Sequence, residues 1–416
     1  MVVGTSKHYM PLFKSLRNHH NYLTMRKQYL STLAKTLKKS AIQQALEKSV
    51  DTDIISFSLG MPDTGILPLT EYKIAFQSIN SPSILQYSSP LFSLKIHIAN
   101  LMKERQVKCK PEQILLTSGA QQAMTLICKL LIDKGDSVII EEISYPGFIQ
   151  IAKSAHANLI STPVDYKNGI ITEQLKKLLM KNKTPKLLYT IPEGHNPSGI
   201  SLSNEKRLEI VNIASSWQLP IVEDDAYGFI NYGKINPPLY SYSSGLVFYI
   251  GSFSKILSPA ARLGWIIAPE YLIQKLEILK EGMDINTSTL SQYIINNYLN
   301  QGCLNEHLQF LKNHYKKKRD IMVEAIKHYI PEMDFSIPNS GFFIWGRLPD
   351  INTNKLFVQA LENNKVSFLP GSAFGVKHNS SLSSCLRLSF ALCDINMIEI
   401  GIKRLKQALK EYKTRS

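Results

Sequence analysis

The sequence contains no run of eighteen apolar residues, so no segment is long enough to cross a bilayer as a helix. Cysteine is sparse. The five cysteines, at 109, 128, 303, 385 and 393, form no Cys-x-x-Cys pair, and their number is odd. That usage argues against a disulfide framework and a zinc site, and no metal is expected. It fits reduced thiols and a cytoplasmic location. The first thirty residues hold no apolar core of the kind a secretory signal needs. They are basic and poor in acid, which is compatible with an organellar presequence, and Met25 is an alternative start. No internal repeat and no low-complexity linker occurs.

Acid is scarce at both ends. The formal charge is +15, of which residues 1–50 carry +8 and residues 403–416 carry +5, so the 352 residues between them hold only +2. The basic excess therefore belongs to the ends, and the body is nearly neutral. Solvated basic tails are the plain reading; contact with nucleic acid or an anionic membrane surface is the competing one. The expectation is no nucleic-acid and no membrane partner.

What is present is alternation. Short β-branched or apolar runs read as buried strands at 114–117, 137–141, 187–190, 220–222, 246–250 and 263–268. Helical patterns at 120–131, 149–155, 174–181 and 204–217 lie between them. This order predicts a mostly parallel sheet covered on both faces. Ligands of such sheets sit beyond the carboxyl ends of the strands. From about residue 270 the pattern changes to long helices (271–282, 288–298, 304–329). Strands of a second, smaller sheet follow at 342–345, 366–368 and 385–390, then a closing helix at 394–412. The segment up to about Gly60 is expected to pack with this second part.

Six pieces carry chemistry, five of them at strand ends or the turns that follow and one inside a strand. Gly251-Ser-Phe-Ser-Lys255 follows the run 246–250 and precedes Pro259-Ala-Ala-Arg262-Leu-Gly264. The small residues let a bulky ligand approach the backbone. Ser252 and Arg262 supply a hydroxyl and a fixed cation for a phosphate. A lysine beside cations and partly desolvated has the lowered pKa that imine formation requires. A surface lysine or a simple phosphate site is the competing reading. Asp224, in Glu223-Asp-Asp225-Ala-Tyr227, ends a buried strand. It is either a helix cap or a carboxylate that holds a pyridinium nitrogen protonated. Tyr227 is spaced to reach the same ring's oxygen, and Asp225 is expected to face away or to cap. Asn196, between Pro/Gly turns, can start a turn or donate to an anionic oxygen, and the neighbouring His195 reads as packing. Ser118-Gly119-Ala120-Gln121-Gln122 is a strand-turn-helix joint whose first N–H groups form an anion cradle, although a turn with a cap explains the same letters. Tyr145 can stack on a flat ring or fill the core. Arg387 lies in an otherwise apolar strand, where a cation needs an anion: a salt bridge or a substrate carboxylate.

In this order and spacing the six pieces resemble the fold-type I pyridoxal 5′-phosphate (PLP) aminotransferases. The resemblance runs from about residue 40 to the C-terminus. The branch most resembled is that of the 2-aminoadipate and kynurenine aminotransferases and of the aminotransferase-like domains of certain winged-helix regulators. Its marks are Ile55-Ser-Phe-Ser-Leu-Gly60-Met-Pro-Asp63, Glu223-Asp-Asp-Ala-Tyr227 and Phe368-Leu-Pro-Gly371-Ser-Ala-Phe374. The resemblance implies an α/β fold with a large PLP-binding domain (63–285) and a small α+β domain (286–416). A basic extension (1–39) and an arm packing on the small domain (40–62) precede them. It implies Lys255 as the Schiff-base lysine that moves the proton. Asp224 pairs with the ring nitrogen, Asn196 and Tyr227 bind the ring oxygen, and Tyr145 stacks on the ring face. Ser252, Arg262 and the N–H groups of Gly119, Ala120 and Gln121 hold the phosphate. Arg387 binds the substrate carboxylate, with Gly60 and Asn196 beside it. Tyr87 is implied to reach the neighbouring subunit's phosphate, hence a homodimer with shared sites.

Two stretches depart from the family's pattern. After Tyr87 the text is Ser88-Ser-Pro-Leu-Phe-Ser-Leu-Lys95 where a glycine and then an arginine-bearing helix start are usual. A motif that usually has two adjacent glycines reads Asn339-Ser340-Gly341. Both bear on substrate identity. The implied activity is transfer of an amino group between an α-amino acid and a 2-oxo acid. Another PLP reaction (lyase, decarboxylase, racemase or oxidase) is the alternative. A PLP-sensing transcription regulator fits less well, because roughly 40 residues before the motifs are too few for a winged-helix domain plus linker.

Overall fold

The computed structural model describes residues 29–31, 34–35 and 53–415, apart from 182–183, 244 and 377–378. The basic extension and residues 40–52 of the expected arm thus fall largely outside the described set. The chain divides into two compact units, Met1–Lys39 and Ser40–Ser416, and all elements named below belong to the second.

The central sheet has seven strands: β1 (Ile114–Thr117), β2 (Ser137–Glu141), β3 (Asn158–Thr162), β4 (Leu187–Thr190), β5 (Ile221–Asp224), β6 (Val247–Ser252) and β7 (Gly264–Ile267). Their spatial order is β1-β7-β6-β5-β4-β2-β3. β7 runs antiparallel to both neighbours, and the other pairs are parallel. Strand residues alternate between two buried cores. Leu116, Ile139, Leu188, Ile221 and Tyr249 enter one; Leu115, Ile140, Tyr189, Val222 and Phe248 enter the other. Both faces are covered, which is why these strands read as continuous apolar runs. β3 shows no such run: it is an edge strand, and most of its residues are only partly buried.

Helix Glu270–Asp284 and the long helix Leu304–Tyr329 lead to a second sheet. Its strands are β8 (Asp334–Phe335), β9 (Phe343–Arg347), β10 (Leu369–Pro370) and β11 (Cys385–Ser389), in the order β8-β9-β11-β10 and all antiparallel. The run expected at 366–368 divides here. Val366–Ser367 pairs in parallel with Ile55–Ser56, and after Phe368 the residues Leu369–Pro370 join the second sheet. Helix Ile398–Arg415 closes the chain. All five cysteines are free thiols. Among the described residues no helix is long and apolar enough to cross a membrane.

Candidate active site

Because β7 alone is reversed, the carboxyl ends of the other strands lie along one edge. The start of β7 joins them there, with Gly264 in register with both Thr117 and Ser252. Arg262, two residues earlier and at φ +48°, is thereby set between the turn after β1 and the end of β6. A cavity of about 410 Å³ opens at this edge. Lining it are eleven of the expected site residues: Gly60, Ala120, Gln121, Tyr145, Asn196, Asp224, Tyr227, Ser252, Lys255, Arg262 and Arg387.

Backbone alternation sorts three consecutive acids, Glu223 and Asp224 at the end of β5 and Asp225 just after it. Asp224 points to the face of Tyr189, whose hydroxyl donates to Asp224 Oδ2 at 2.8 Å. Burial pushes the Asp224 carboxyl up to about 6, against the pull of Tyr189. Its Oδ1 is buried with no partner among the described residues. Asp225 turns to the opposite face, as expected. It accepts from Arg105 Nη2 and from Tyr249 Oη, each at 2.9 Å. Glu223 shares that face and caps the N–H groups of Leu239 and Tyr240 at 2.7 and 2.9 Å.

Lys255 Nζ donates to the Gly60 carbonyl at 2.9 Å. Burial lowers its pKa to about 8; the Arg387 and Arg262 cations add to this and Asp224 opposes it. Gly60 has no room for a side chain, since a Cβ there would lie 2.5 Å from the Phe343 ring. Arg387 is sandwiched between Phe343 and Phe374, at 4.1 and 4.8 Å from their centroids. It donates to Asn196 Oδ1 at 2.7 Å and to the Ser58 carbonyl. Asn196 therefore keeps its NH₂ end for other acceptors. No carboxylate bonds to Arg387 among the described residues, and its Nε is buried without a partner. Burial lowers its pKa to about 10. Of the two readings of this arginine, the internal salt bridge is absent.

Tyr145 bonds Gln121 Oε1 at 3.4 Å. It rests against Gly147, where a Cβ would lie 2.4 Å from the ring. Gly119 has φ +81°, and a Cβ there would come within 2.7 Å of Arg262 Nη2. Its N–H differs from expectation: it donates to the Thr117 carbonyl at 2.8 Å and is not spare. Ala120 and Gln121 stand in the first helical turn, where N–H groups have no intrahelical acceptor. Tyr87 is not in the cavity. It is 76% exposed on the surface. His195 packs, with Nδ1 2.9 Å from Ser198 Oγ and Nε2 3.2 Å from Glu141. Sequence reasoning missed Tyr189, Phe343, Leu59 and Met61. Leu59, Met61 and Phe343 line the cavity and Tyr189 bonds Asp224, and nothing in their letters separates these roles from core packing.

The family described as "Aminotransferase class I and II" matches residues 52–405, and the chain belongs to it. It is 32% identical to aromatic-amino-acid aminotransferase 1 of Thermococcus litoralis, over 92% of this chain and 94% of that one. The crystal structure of a kynurenine aminotransferase of Pyrococcus horikoshii in complex with PMP superposes with TM-score 0.86 at 30% identity, covering 92% and 97% of the two chains. That of an α-aminoadipate aminotransferase of Thermus thermophilus, complexed with N-(5′-phosphopyridoxyl)-L-leucine, gives 0.85 at 30%, covering 94% and 99%. The protein is thus a PLP-dependent aminotransferase. Its cavity fits that cofactor: an orphaned carboxylate oxygen for a protonated ring nitrogen, a side-chain-free cradle at Gly119 beside Arg262, and a buried amine of lowered pKa.

Proposed function

We propose that the chain moves the amino group of an α-amino acid to a 2-oxo acid, with Lys255 as the covalent carrier of PLP and as the proton-transferring base. The observation that carries this reading is the meeting of Lys255, Asp224, Arg262 and Arg387 in one cavity. When bound, PLP supplies an electrophilic carbonyl and a ring that takes up the electron pair left as Cα loses its proton. The chain's own residues do the rest. Asp224, braced by Tyr189, offers its open oxygen to the ring nitrogen. The Asn196 amide and the Tyr227 hydroxyl serve the ring oxygen, and Tyr145 covers the ring face. Ser252, Arg262 and the N–H groups of Ala120 and Gln121 take the phosphate, while Gly119 contributes its shape. Arg387, whose donors lack a carboxylate, binds the substrate's α-carboxylate and so fixes Cα beside Gly60 and Lys255. The Lys255 amine would take the proton from Cα and deliver it to the cofactor's C4′ carbon, on the far side of the nitrogen.

The same reading assigns 63–285 to a large cofactor-binding domain, 286–416 to a small domain and 40–62 to an arm on it, in a cytoplasmic homodimer. The exposed apolar side chains Leu85, Tyr87 and Phe92, at 77, 76 and 52%, support a partner surface on that side. The test is an amino-acid screen of the purified, PLP-loaded protein by absorbance. Conversion of bound cofactor to its amine form by an amino acid, reversed by a 2-oxo acid, is expected. Release of ammonia, carbon dioxide or hydrogen peroxide without need of an acceptor would overturn the reading. Lys255→Ala is expected to abolish the band of covalently bound cofactor.

A further inference from the structure

Behind the turn that joins β1 to helix Ala120–Leu131 stands a carboxylate with no part in the chemistry above. Asp284 ends the helix Glu270–Asp284. Its Oδ2 accepts from Ser118 Oγ at 2.9 Å and from Gln122 Nε2 at 2.7 Å. Its Oδ1 takes Lys280 Nζ at 2.6 Å. Burial alone would raise this carboxyl, but the bonds from Lys280, Gln122 and Ser118 prevail and hold it below the usual range.

These contacts orient the whole turn. With its NH₂ committed to Asp284, Gln122 presents Oε1 to the Ser118 N–H at 2.8 Å. The Ser118 carbonyl accepts from Arg262 Nη2 at 3.2 Å. Every polar atom of Ser118 is therefore engaged, its N–H and hydroxyl by Gln122 and Asp284 behind the turn and its carbonyl by Arg262 of the cavity wall, and Ala120 and Gln121, just beyond, line the cavity.

The chain leaves Asp284 through a strained joint. Ile285, a β-branched residue, has φ +62° and ψ −62°, and the Asn286 N–H donates back to the Asp284 carbonyl at 2.6 Å. Such a γ-turn persists only where its surroundings over-determine it. Here Asn286 Nδ2 donates to the Ser88 carbonyl at 2.5 Å, and Thr287 Oγ1 to the Leu116 carbonyl in β1 at 3.3 Å. The carboxylate is thus anchored to the strand that feeds the turn it braces.

We propose that Asp284 is a positioning residue for the phosphate cup: by fixing Ser118 and Gln122 it aims the N–H groups of Ala120 and Gln121, together with Arg262, at one phosphate dianion. This rests on the assignment of that turn to the cofactor's phosphate. A bare carboxylate there would repel a dianion; Lys280 on its other oxygen offsets the charge. Asparagine at 284 cannot accept from three donors on two sides at once: its NH₂ would face either the Ser118 and Gln122 donors or the Lys280 ammonium.

The experiment titrates the cofactor-free protein with PLP and with pyridoxal, which has the same aldehyde and ring but no phosphate, and follows bound cofactor by absorbance. Asp284→Asn is expected to weaken PLP about tenfold or more and to leave pyridoxal unchanged. Gln122→Met, outside the cavity wall, is expected to do the same and serves if the first variant does not fold. Equal PLP affinity in variant and wild type, or parallel losses for both aldehydes, would overturn the proposal. A wild-type chain that captures neither aldehyde removes the phosphate site itself, and the proposal with it; that outcome is distinct from a wild type that binds PLP beside an equally competent variant.

Discussion

Three consecutive acids where one strand ends, Glu223 to Asp225, serve three different ends, and a period of two is enough to separate them. Asp224 faces the cavity with one oxygen held by Tyr189 and the other open. Glu223 and Asp225 face backward, one onto backbone N–H groups and the other onto Arg105. Lys255 is the other residue whose surroundings set its chemistry. Free lysine is almost wholly protonated near neutrality, whereas burial and the Arg387 and Arg262 cations bring this amine to about 8. Only the unprotonated amine attacks an aldehyde. The rate at which the cofactor-free chain captures PLP should therefore rise about tenfold per pH unit up to about pH 8 and level off above it. Since Arg387 helps depress the amine, Arg387→Met should move that inflection to higher pH. Stopped-flow absorbance across pH 6 to 10 checks both, and a rate still rising steeply through pH 9 in the wild type would contradict the first.

At the scale of elements, the back face of β5 depends on a buried ion pair. Arg105 follows helix Phe92–Glu104 and meets Asp225 at 2.9 Å, the two side chains being 2% and 1% exposed. Removing one partner leaves an uncompensated charge in a buried site, at a cost of about 3–5 kcal/mol. Arg105→Met should lose that much in urea unfolding of the cofactor-free protein, and a loss under about 1 kcal/mol would show that the pair carries little. This pair also marks where sequence reasoning stops. The expected backward turn of Asp225 follows from strand alternation, but its partner was one arginine among 48 basic residues, 120 positions away. The central strands were legible because both faces are buried and their apolar runs are unbroken. β3 was not, because an edge strand with partly exposed residues leaves no run to read. The strand expected at 366–368 hides a change of sheet within four residues. Five of the six chemical pieces were legible because they follow a strand's end, and the sixth, Arg387, because it sets a cation inside an otherwise apolar strand. Tyr189, one residue before such an end, looks like any core aromatic until its hydroxyl is seen against Asp224. Asp284 lies farther from the motifs still, and only the folded chain brings it behind Ser118.

At the scale of the whole molecule, the body is nearly neutral, and two expected site residues are absent from the cavity wall: Gly119, which lies against Arg262, and Tyr87, which lies on the surface. Its ring is 76% exposed, with Leu85 and Phe92 also exposed nearby. The Tyr87–Ser88 segment is tied to Asn286, and through that strained joint to the carboxylate that braces the phosphate cup. An exposed tyrosine held on a well-anchored segment is what a residue acting in a neighbouring subunit's site looks like in a single chain. Mixing two defective chains separates action in trans from action in cis. One chain carries Lys255→Ala and the other Tyr87→Ala, each with its own affinity tag, so that mixed dimers are isolated by two purifications. If Tyr87 serves its partner, one site of each mixed dimer joins an intact Lys255 to an intact Tyr87 from the other chain. PLP titration should then find one site per dimer with wild-type affinity, where the Tyr87→Ala dimer has only weakened ones. If Tyr87 serves its own chain, no wild-type site appears in the mixture; if it serves neither site, the Tyr87→Ala dimer itself already binds PLP as tightly as wild type. Mixed dimers that bind PLP no better than the Tyr87→Ala protein would rule out a shared site, and an inability of the two tagged chains to associate would rule out the dimer itself.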